Sequence, residues 1–408
     1  MAEGNNRTAI VIGGGVIGVT SAYTLARDGW QVRLLEAREA PARGTSLGNG
    51  RQLSYGYASA LGSPALLRKM PSLLLGSGDA FRMTLSGREG YHRWLVGFAR
   101  QCTSAAQRRN TLALIELAEV SRQAMERLLE RHEIDFAHER AGKLVILPDA
   151  QAVEAARPML GVKQAAGLDQ RLISAEEACE IEPALAQAPQ GFAGAVYDSG
   201  DDTGDCARFS EGLLAHLQRD YGVEFRASTP VSRIASVNGG ARVTLENGDV
   251  LECDLAVVAT GPEARELLSP LGFAAPIQPM KGYSFTAPLG NAAPRVAVSD
   301  LGRRLVFTHC GDRMLVAGIA EMGMVETSVD PQRLAAMIAA ARAALPEAAV
   351  YDEADGGWAG LRPMTPDSQP ITRMVSPGIA VNAGHGMLGW TLAMGSAERL
   401  RDVVRASA

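Results

Sequence analysis

The stretch Thr8 to Glu36, reading TAIVIGGGVIGVTSAYTLARDGWQVRLLE, restricts what this chain can fold into more than any other. Ala9 to Ile12 is a short, apolar, β-branched run of the kind buried in a parallel sheet. It leads straight into Gly13, Gly15 and Gly18, spaced G-x-G-x-x-G. A helical pattern follows from Val16 to Arg27, then a stop at Gly29 and a second strand, Gln31 to Leu35, ending in Glu36. Gly13 permits the tight turn, Gly15 lets backbone approach a pyrophosphate, and Gly18 lets helix and strand pack closely. The helix start offers free N–H groups and partial positive charge to phosphates. Glu36 can accept hydrogen bonds from both hydroxyls of a ribose and would repel a 2′-phosphate, which disfavours NADP. A glycine triplet alone says little, but strand, turn, helix, strand and acid in this order predict a dinucleotide site.

At 408 residues the chain has room for two or three domains, and its 47% apolar and 21% charged residues fit a soluble globular protein. The net charge of −5, with no basic stripe, argues against a nucleic-acid partner. Five cysteines without a CxxC and six histidines without ligand spacing imply reduced thiols and no metal site. Met1 to Arg7 is polar and too short for a secretory leader, and no apolar run reaches the ~18 residues of a membrane span. A cytoplasmic protein is expected, with peripheral attachment to the inner face of the plasma membrane as an alternative.

After Glu36 comes a polar, glycine-rich loop with Arg38, Arg43, Thr45, Ser46, Asn49 and Gly50, placed by the pattern beside the strand ends. Ser63 to His132 reads as helical; Leu114, Ile115, Ala118, Met125 and Leu128 keep core-facing spacing. Within it, Leu66 to Leu75 reads as a buried helix broken at Pro71, or else a helix lying on a membrane surface. Residues 140–330 read mostly as strands, with an Asn247-Gly248 hairpin turn and one interposed helix, Phe209 to Tyr221. Leu255 to Val258, ending in Ala259-Thr260-Gly261, is apolar throughout and so belongs inside a doubly covered parallel sheet. Gly378 to Asn382 repeats the opening logic: a short strand, the turn Gly384-His385-Gly386, and a helix to Val404.

A nicotinamide enzyme needs one glycine turn. The second one has a use in flavin chemistry, because reduction puts negative charge at one end of the ring and a helix N-terminus stabilises it. FAD is therefore the expected cofactor. The fold class is α/β: a Rossmann-like FAD-binding domain (1–62, 200–265 and 355–408) interleaved with a mixed or antiparallel-sheet substrate domain (63–199 and 266–354).

The chain resembles the bacterial FAD-dependent D-amino acid dehydrogenases of the D-amino-acid oxidase superfamily over essentially its whole length. The resemblance rests on the fingerprint, Thr45-Ser46-Leu47-Gly48-Asn49-Gly50, Asp202 to Cys206, Pro279-Met280-Lys281-Gly282-Tyr283-Ser284, Trp358 to Asp367, and Gly384-His385-Gly386-Met387-Leu388-Gly389-Trp390-Thr391. It implies oxidation of an amino acid at its α-carbon, with hydride passing to flavin N5 and electrons going on to a quinone or another carrier. The product is an imino acid, which water converts to a 2-oxo acid. It further implies cofactor contacts from Gly13, Gly15, Val16, Ile17, Gly18, Glu36, Ala37, Arg43, Thr45, Ser46, Asn49, Gly50, Gln52 and Leu53. Val231, Thr260, Gly261, Arg362, Gly384, Gly386, Met387, Leu388, Gly389 and Thr391 complete that set.

Arg362 is the candidate anchor for the substrate carboxylate, since a guanidinium can hold it by two parallel hydrogen bonds. Tyr283 and Tyr57 are candidates for a second carboxylate contact or a lid, and His385 for a place in the catalytic group. No general base stands out, and a substrate arriving as the free amine needs none. Tyr55 stands where the family usually carries proline, and Ala58 to Pro64 also departs from the family pattern. Those positions are expected on the substrate side of the flavin, so D-proline or D-hydroxyproline is an alternative to D-alanine. An oxidase of the glycine or sarcosine kind, using O2, and a non-catalytic electron-relay subunit are the alternatives of other classes.

Overall fold

The computed structural model describes residues 7–74 and 81–407. The expectations for the first six residues, and for Leu75 onward to residue 80, lie outside these. Strand Thr8–Ile12 sits in a six-stranded sheet of order Ile371–Ser376, Ile379–Ala383, Leu255–Val258, Thr8–Ile12, Gln31–Leu35, Glu224–Arg226. All neighbours pair in parallel except the antiparallel edge strand Ile371–Ser376. The central strands are apolar on both faces because both are covered. Ala9 and Val11 face a core shared with helices Val16–Arg27, Ser104–Leu129, Cys206–Tyr221 and Gly389–Ser407. Ile10 and Ile12 face a small antiparallel sheet, Val231–Val237, Gly240–Leu245 and Val250–Cys253, through Ile234 and Val243.

A second, nine-stranded sheet forms the other half. Its order is Trp358–Met364, Gln278–Pro288, Arg313–Met322, Leu305–Cys310, Ala297–Asp300, Lys143–Leu147, Gly194–Asp198, Gln170–Ile173, with Phe81–Met83 added beside Arg313–Met322. It is mixed: Ala297–Asp300 runs parallel to Lys143–Leu147, Phe81–Met83 runs parallel to Arg313–Met322, and the rest is antiparallel. One face buries Phe285, Phe307 and Val316 against Leu334, Met337 and Ala341 of helix Pro331–Ala344. The opposite face looks toward the dinucleotide half. The α/β architecture with an interleaved mixed-sheet domain is therefore as read from the sequence.

Several segments sit elsewhere than expected. Trp358–Met364 pairs with Gln278–Pro288, so it belongs to the second sheet, not to the dinucleotide half. Helix Ser104–Leu129, assigned by sequence to the substrate half, packs on the last helix instead. At Gly395 the two approach so closely that a Cβ would stand 2.5 Å from the Leu117 carbonyl oxygen. Within the region read as strands, Ala150–Ala165 is a helix capped by Asp149, whose carboxylate accepts from the Ala152 N–H. Helix Pro64–Leu74 continues through Pro71, with Leu66 and Leu73 buried and Leu67, Arg68 and Lys69 exposed. No helix among the described residues is long and apolar enough to cross a membrane.

Candidate active site

The first glycine turn is built by contacts that leave no room for side chains. Gly13 has φ +105°, and a Cβ there would stand 2.7 Å from the Ala259 carbonyl oxygen. A Cβ on Gly18 would meet the Gly13 carbonyl oxygen at 1.7 Å, so helix and turn touch as the fingerprint requires. Glu36 is buried, and its two oxygens accept from the Gly14 N–H at 2.6 Å and the Arg38 N–H at 2.8 Å. The polar loop folds over the helix start, where Ser46 Oγ accepts from the Val16 N–H at 3.1 Å.

From this turn a single cavity of about 1920 Å³ runs between the two halves. Ligand pockets are commonly about 300–1,000 Å³, so this one has room for a dinucleotide and a small substrate together. Of the expected residues, Gly13, Gly15, Val16, Ile17, Glu36, Ala37, Arg43, Thr45, Ser46, Asn49, Gly50, Gln52, Val231, Thr260, Gly261, Arg362, Gly386, Met387, Leu388, Gly389 and Thr391 line it, as do His385 and Tyr57. Thr260 Oγ1 is buried on this wall without a hydrogen-bond partner among the described residues. An orphaned hydroxyl beside a side-chain-free backbone cradle fits a bound dinucleotide.

Gly18, Leu53, Gly384 and Tyr283 are not on the wall. Gly18 works through packing, and Leu53 is buried in the core beneath the loop. Gly384 supplies φ +84° where a Cβ would press on Thr365. Tyr283 is a correction to the candidate site. Strand Gln278–Pro288 alternates faces: Met280 lines the cavity, Gly282 lies against Arg362, and Ser284 Oγ donates to the Gly48 carbonyl. Tyr283 therefore points into the opposite core, its hydroxyl donating to Glu321 at 3.2 Å, and cannot hold the substrate carboxylate there.

At the second turn, His385 is buried with Nε2 2.8 Å from Ser396 Oγ. Burial, aided by nearby Arg399, pushes its pKa down to about 3, so it is neutral at physiological pH. Its ring fixes the turn against the last helix, while Asn382 Nδ2 donates to Ser21 and Ser396 and so ties that helix to the first one. Thr391 Oγ1 accepts from the Ser54 N–H at 2.9 Å, joining the last helix to the loop.

Arg362 lines the cavity with its head beneath Gly282, and its Nη1 donates to the Ile319 carbonyl at 3.3 Å. No carboxylate pairs with it among the described residues. Enclosure within the protein lowers its pKa to about 10, still fully charged at neutral pH. Tyr57 stands elsewhere, packed between the ammonium groups of Lys143 at 4.6 Å and Lys163 at 4.7 Å. Lys143 lies on a strand five places across the sheet from the Arg362 strand, roughly 24 Å of sheet at about 4.8 Å per strand. Tyr57 is therefore placed against the lysine pair and not against Arg362, a correction to its candidate role beside that guanidinium. Tyr55 turns into the core, off the cavity wall, whereas Ser59, Ala60, Leu61 and Ser63 of the departing segment do line it.

The charges around Tyr57 carry no motif in the sequence. Lys143 Nζ donates to Ser54 Oγ at 2.8 Å, Lys163 Nζ to the Gly56 carbonyl at 3.0 Å, and Asp201 accepts from the Gly56 N–H at 2.7 Å. Burial lowers both lysines to about 8 and raises Asp201 to about 7. Three residues from distant segments thus clamp the loop Ser54–Tyr57. Away from the cavity, ligand atoms of His132, His216 and Asp220 come within 4.8 Å of one another. There Arg219 Nη2 lies 2.6 Å from His216 Nδ1, and the group is a hydrogen-bonded surface cluster.

A βαβ glycine turn, a buried acid at the end of its second strand and a second glycine turn facing one cavity are the marks of a flavin-dinucleotide oxidoreductase. The chain belongs to the FAD dependent oxidoreductase family, which it matches over residues 8–403, and FAD is its cofactor. It is 35% identical over 406 residues to D-amino acid dehydrogenase 2 of Ralstonia nicotianae, covering 97% of this chain and 95% of that protein. It is 34% identical over 398 residues to D-amino acid dehydrogenase of Chromohalobacter salexigens, with 97% and 95% covered. The structure is similar in fold to glycine oxidase from Bacillus cereus, with TM-score 0.74, 21% identity, and 99% and 96% of the two chains covered.

Proposed function

We propose that this protein is a D-amino acid dehydrogenase that passes electrons to a quinone or another carrier in preference to O2. One observation carries the substrate half of this reading: the guanidinium of Arg362, with no carboxylate partner among the described residues, lines the same cavity as the dinucleotide turn. Gly13, Gly15 and the start of helix Val16–Arg27 would hold the pyrophosphate, and Glu36 the adenosine ribose. Gly386, Met387 and Leu388 would face the flavin end, where the start of the last helix favours negative charge. When bound, the flavin supplies the two-electron acceptor for the substrate's α-hydrogen.

The chain's own contribution is positioning. Arg362 takes the α-carboxylate in a bidentate grip and thereby fixes the direction of the Cα–H bond. The amino acid loses that hydrogen with its electron pair and one proton from nitrogen, leaving an imino acid that water hydrolyses. His385, neutral and held by Ser396, gives and takes no proton in this scheme; it shapes the turn. Names of the relatives favour the D-enantiomer, and the preference for a carrier over O2 rests on the family resemblance.

The test is anaerobic mixing of the holoprotein with a panel of D- and L-amino acids, including D-proline, while flavin absorbance is followed. Bleaching by D-enantiomers with release of 2-oxo acid, and faster reoxidation by a quinone analogue than by air, is expected. Equally fast reoxidation by air turns the reading to an oxidase, and no bleaching by any amino acid ends it.

A further inference from the structure

A second guanidinium, that of Arg304, lines the same cavity as Arg362. Arg304 ends the turn before strand Leu305–Cys310, and its Cζ lies 5.3 Å from the centre of the Phe81 ring. Phe81 pairs with Ala320, the neighbour of Ile319, whose carbonyl accepts from Arg362. From the other side, a Cβ on Gly318 would stand 3.2 Å from the Arg304 carbonyl oxygen. One kink of backbone and one aromatic ring therefore separate the two arginines, and Phe81, Met280 and Ala320 give the wall there an apolar surface.

Both arginines are held by backbone in an unusual conformation. Arg304 has φ 57° and Ile319 has φ 51°, the left-handed region that a β-branched residue rarely enters. Strain of this kind persists where packing over-determines it, often at ligand-binding sites. Arg304 is exposed, and no carboxylate pairs with it among the described residues. Asp300, the nearest acid along the chain, commits both oxygens to Arg303, at 2.9 Å from its N–H and 2.7 Å from Nη1. Glu266, another acid on the wall, is paired with Arg88. Two cations with no carboxylate partner among the described residues thus flank an apolar surface, and one amino-acid carboxylate satisfies only one of them.

We infer that Arg304 selects substrates with a second negative charge, so that the site takes dicarboxylic amino acids, α-carboxylate on Arg362 and side-chain carboxylate on Arg304. This rests on the amino acid dehydrogenase reading and narrows its substrate class. The apolar wall accommodates the methylene groups, and Arg304 supplies a charge-assisted hydrogen bond that a neutral amide side chain cannot match.

The experiment compares D-glutamate with D-glutamine, near-isosteres differing in charge, by anaerobic flavin reduction with the holoenzyme. The wild type should favour D-glutamate by about 10- to 100-fold in kcat/KM, the scale of one charged hydrogen bond. Arg304→Gln should bring that ratio close to one, and Arg304→Lys should retain part of it. Titration calorimetry gives a readout free of turnover: glutarate should bind the wild type more tightly than butyrate, and Arg304→Gln should abolish the difference. Equal use of the two substrates by the wild type, or a preference surviving in Arg304→Gln, overturns the inference while the dehydrogenase reading stands. If no D-amino acid reduces the flavin, both fall together.

Discussion

Gly282→Ala is a perturbation whose size can be read from the structure. An added Cβ would lie 2.3 Å from Nη2 and 2.4 Å from Cζ of Arg362. Ordinary contact needs about 3.5 Å, so the guanidinium must retreat by roughly 1.2 Å. The strand itself has no reason to move, because the clash is with the far end of a flexible side chain. Gly282 is not among the residues with positive φ, and alanine is the better strand residue, so Tm should hold or rise slightly. A misplacement of about 1 Å in a substrate-positioning group can cost about a hundredfold in kcat/KM. The assay is anaerobic flavin reduction over a range of D-amino acid concentrations, beside a thermal melt and FAD content. Arg362→Ala supplies the control: in that background there is no guanidinium to displace, and Gly282→Ala should have almost no further effect. If the double variant instead shows the full hundredfold loss on top of that of Arg362→Ala, the alanine acts through something other than Arg362, and the reasoning is wrong.

Arg362→Ala alone should lose about 3–5 kcal/mol in kcat/KM with FAD retained, the scale of truncating one partner of a charge pair; Arg362→Lys should recover only part, since an ammonium lacks the planar fork. Steady-state kinetics with FAD occupancy checks both, and near-normal KM in the alanine variant would place the carboxylate elsewhere. Glu36→Ala should weaken FAD binding by roughly 10- to 100-fold, one charged hydrogen-bonding group being lost, as measured by FAD retention on dilution. Asp201 gives a pH dependence with a definite sign. Its pKa is raised to about 7, so between about 4 and 7 the folded chain keeps a proton that the unfolded chain gives up. Stability from this group therefore falls as pH rises through that window, and Asp201→Asn should flatten the slope of the denaturation midpoint there; an unchanged slope would contradict it.

The dinucleotide half was legible because its constraints are local. Strand, three glycines, helix and acid follow one another within Thr8 to Glu36, and the observed helix Val16–Arg27 and strand Gln31–Leu35 have the expected bounds. The second glycine turn was legible for the same reason. What escaped depends on contacts between distant segments. Tyr283 sits in one of the blocks that carry the family resemblance in the sequence, but which face of its strand it occupies is set by the strand's pairing with Trp358–Met364 and Arg313–Met322. Trp358–Met364 itself was assigned to the wrong half because its neighbours in the chain, not in space, belong to the dinucleotide sheet. Lys143, Lys163 and Asp201 come from a strand, a helix and a loop, and nothing in their spacing announces that they meet around Tyr57. Arg304 is one arginine among many in the sequence; only the backbone turn against Gly318 marks it.

We propose above all that a bound flavin takes the Cα hydrogen of a D-amino acid held in this cavity. Stopped-flow anaerobic reduction with one amino acid as its D- and L-enantiomers, each with hydrogen or deuterium at Cα, tests it most directly. The D-enantiomer should bleach the flavin, deuterium should slow that bleaching, and the L-enantiomer should leave it oxidised. Equal bleaching by both enantiomers, or none by either, would contradict the claim.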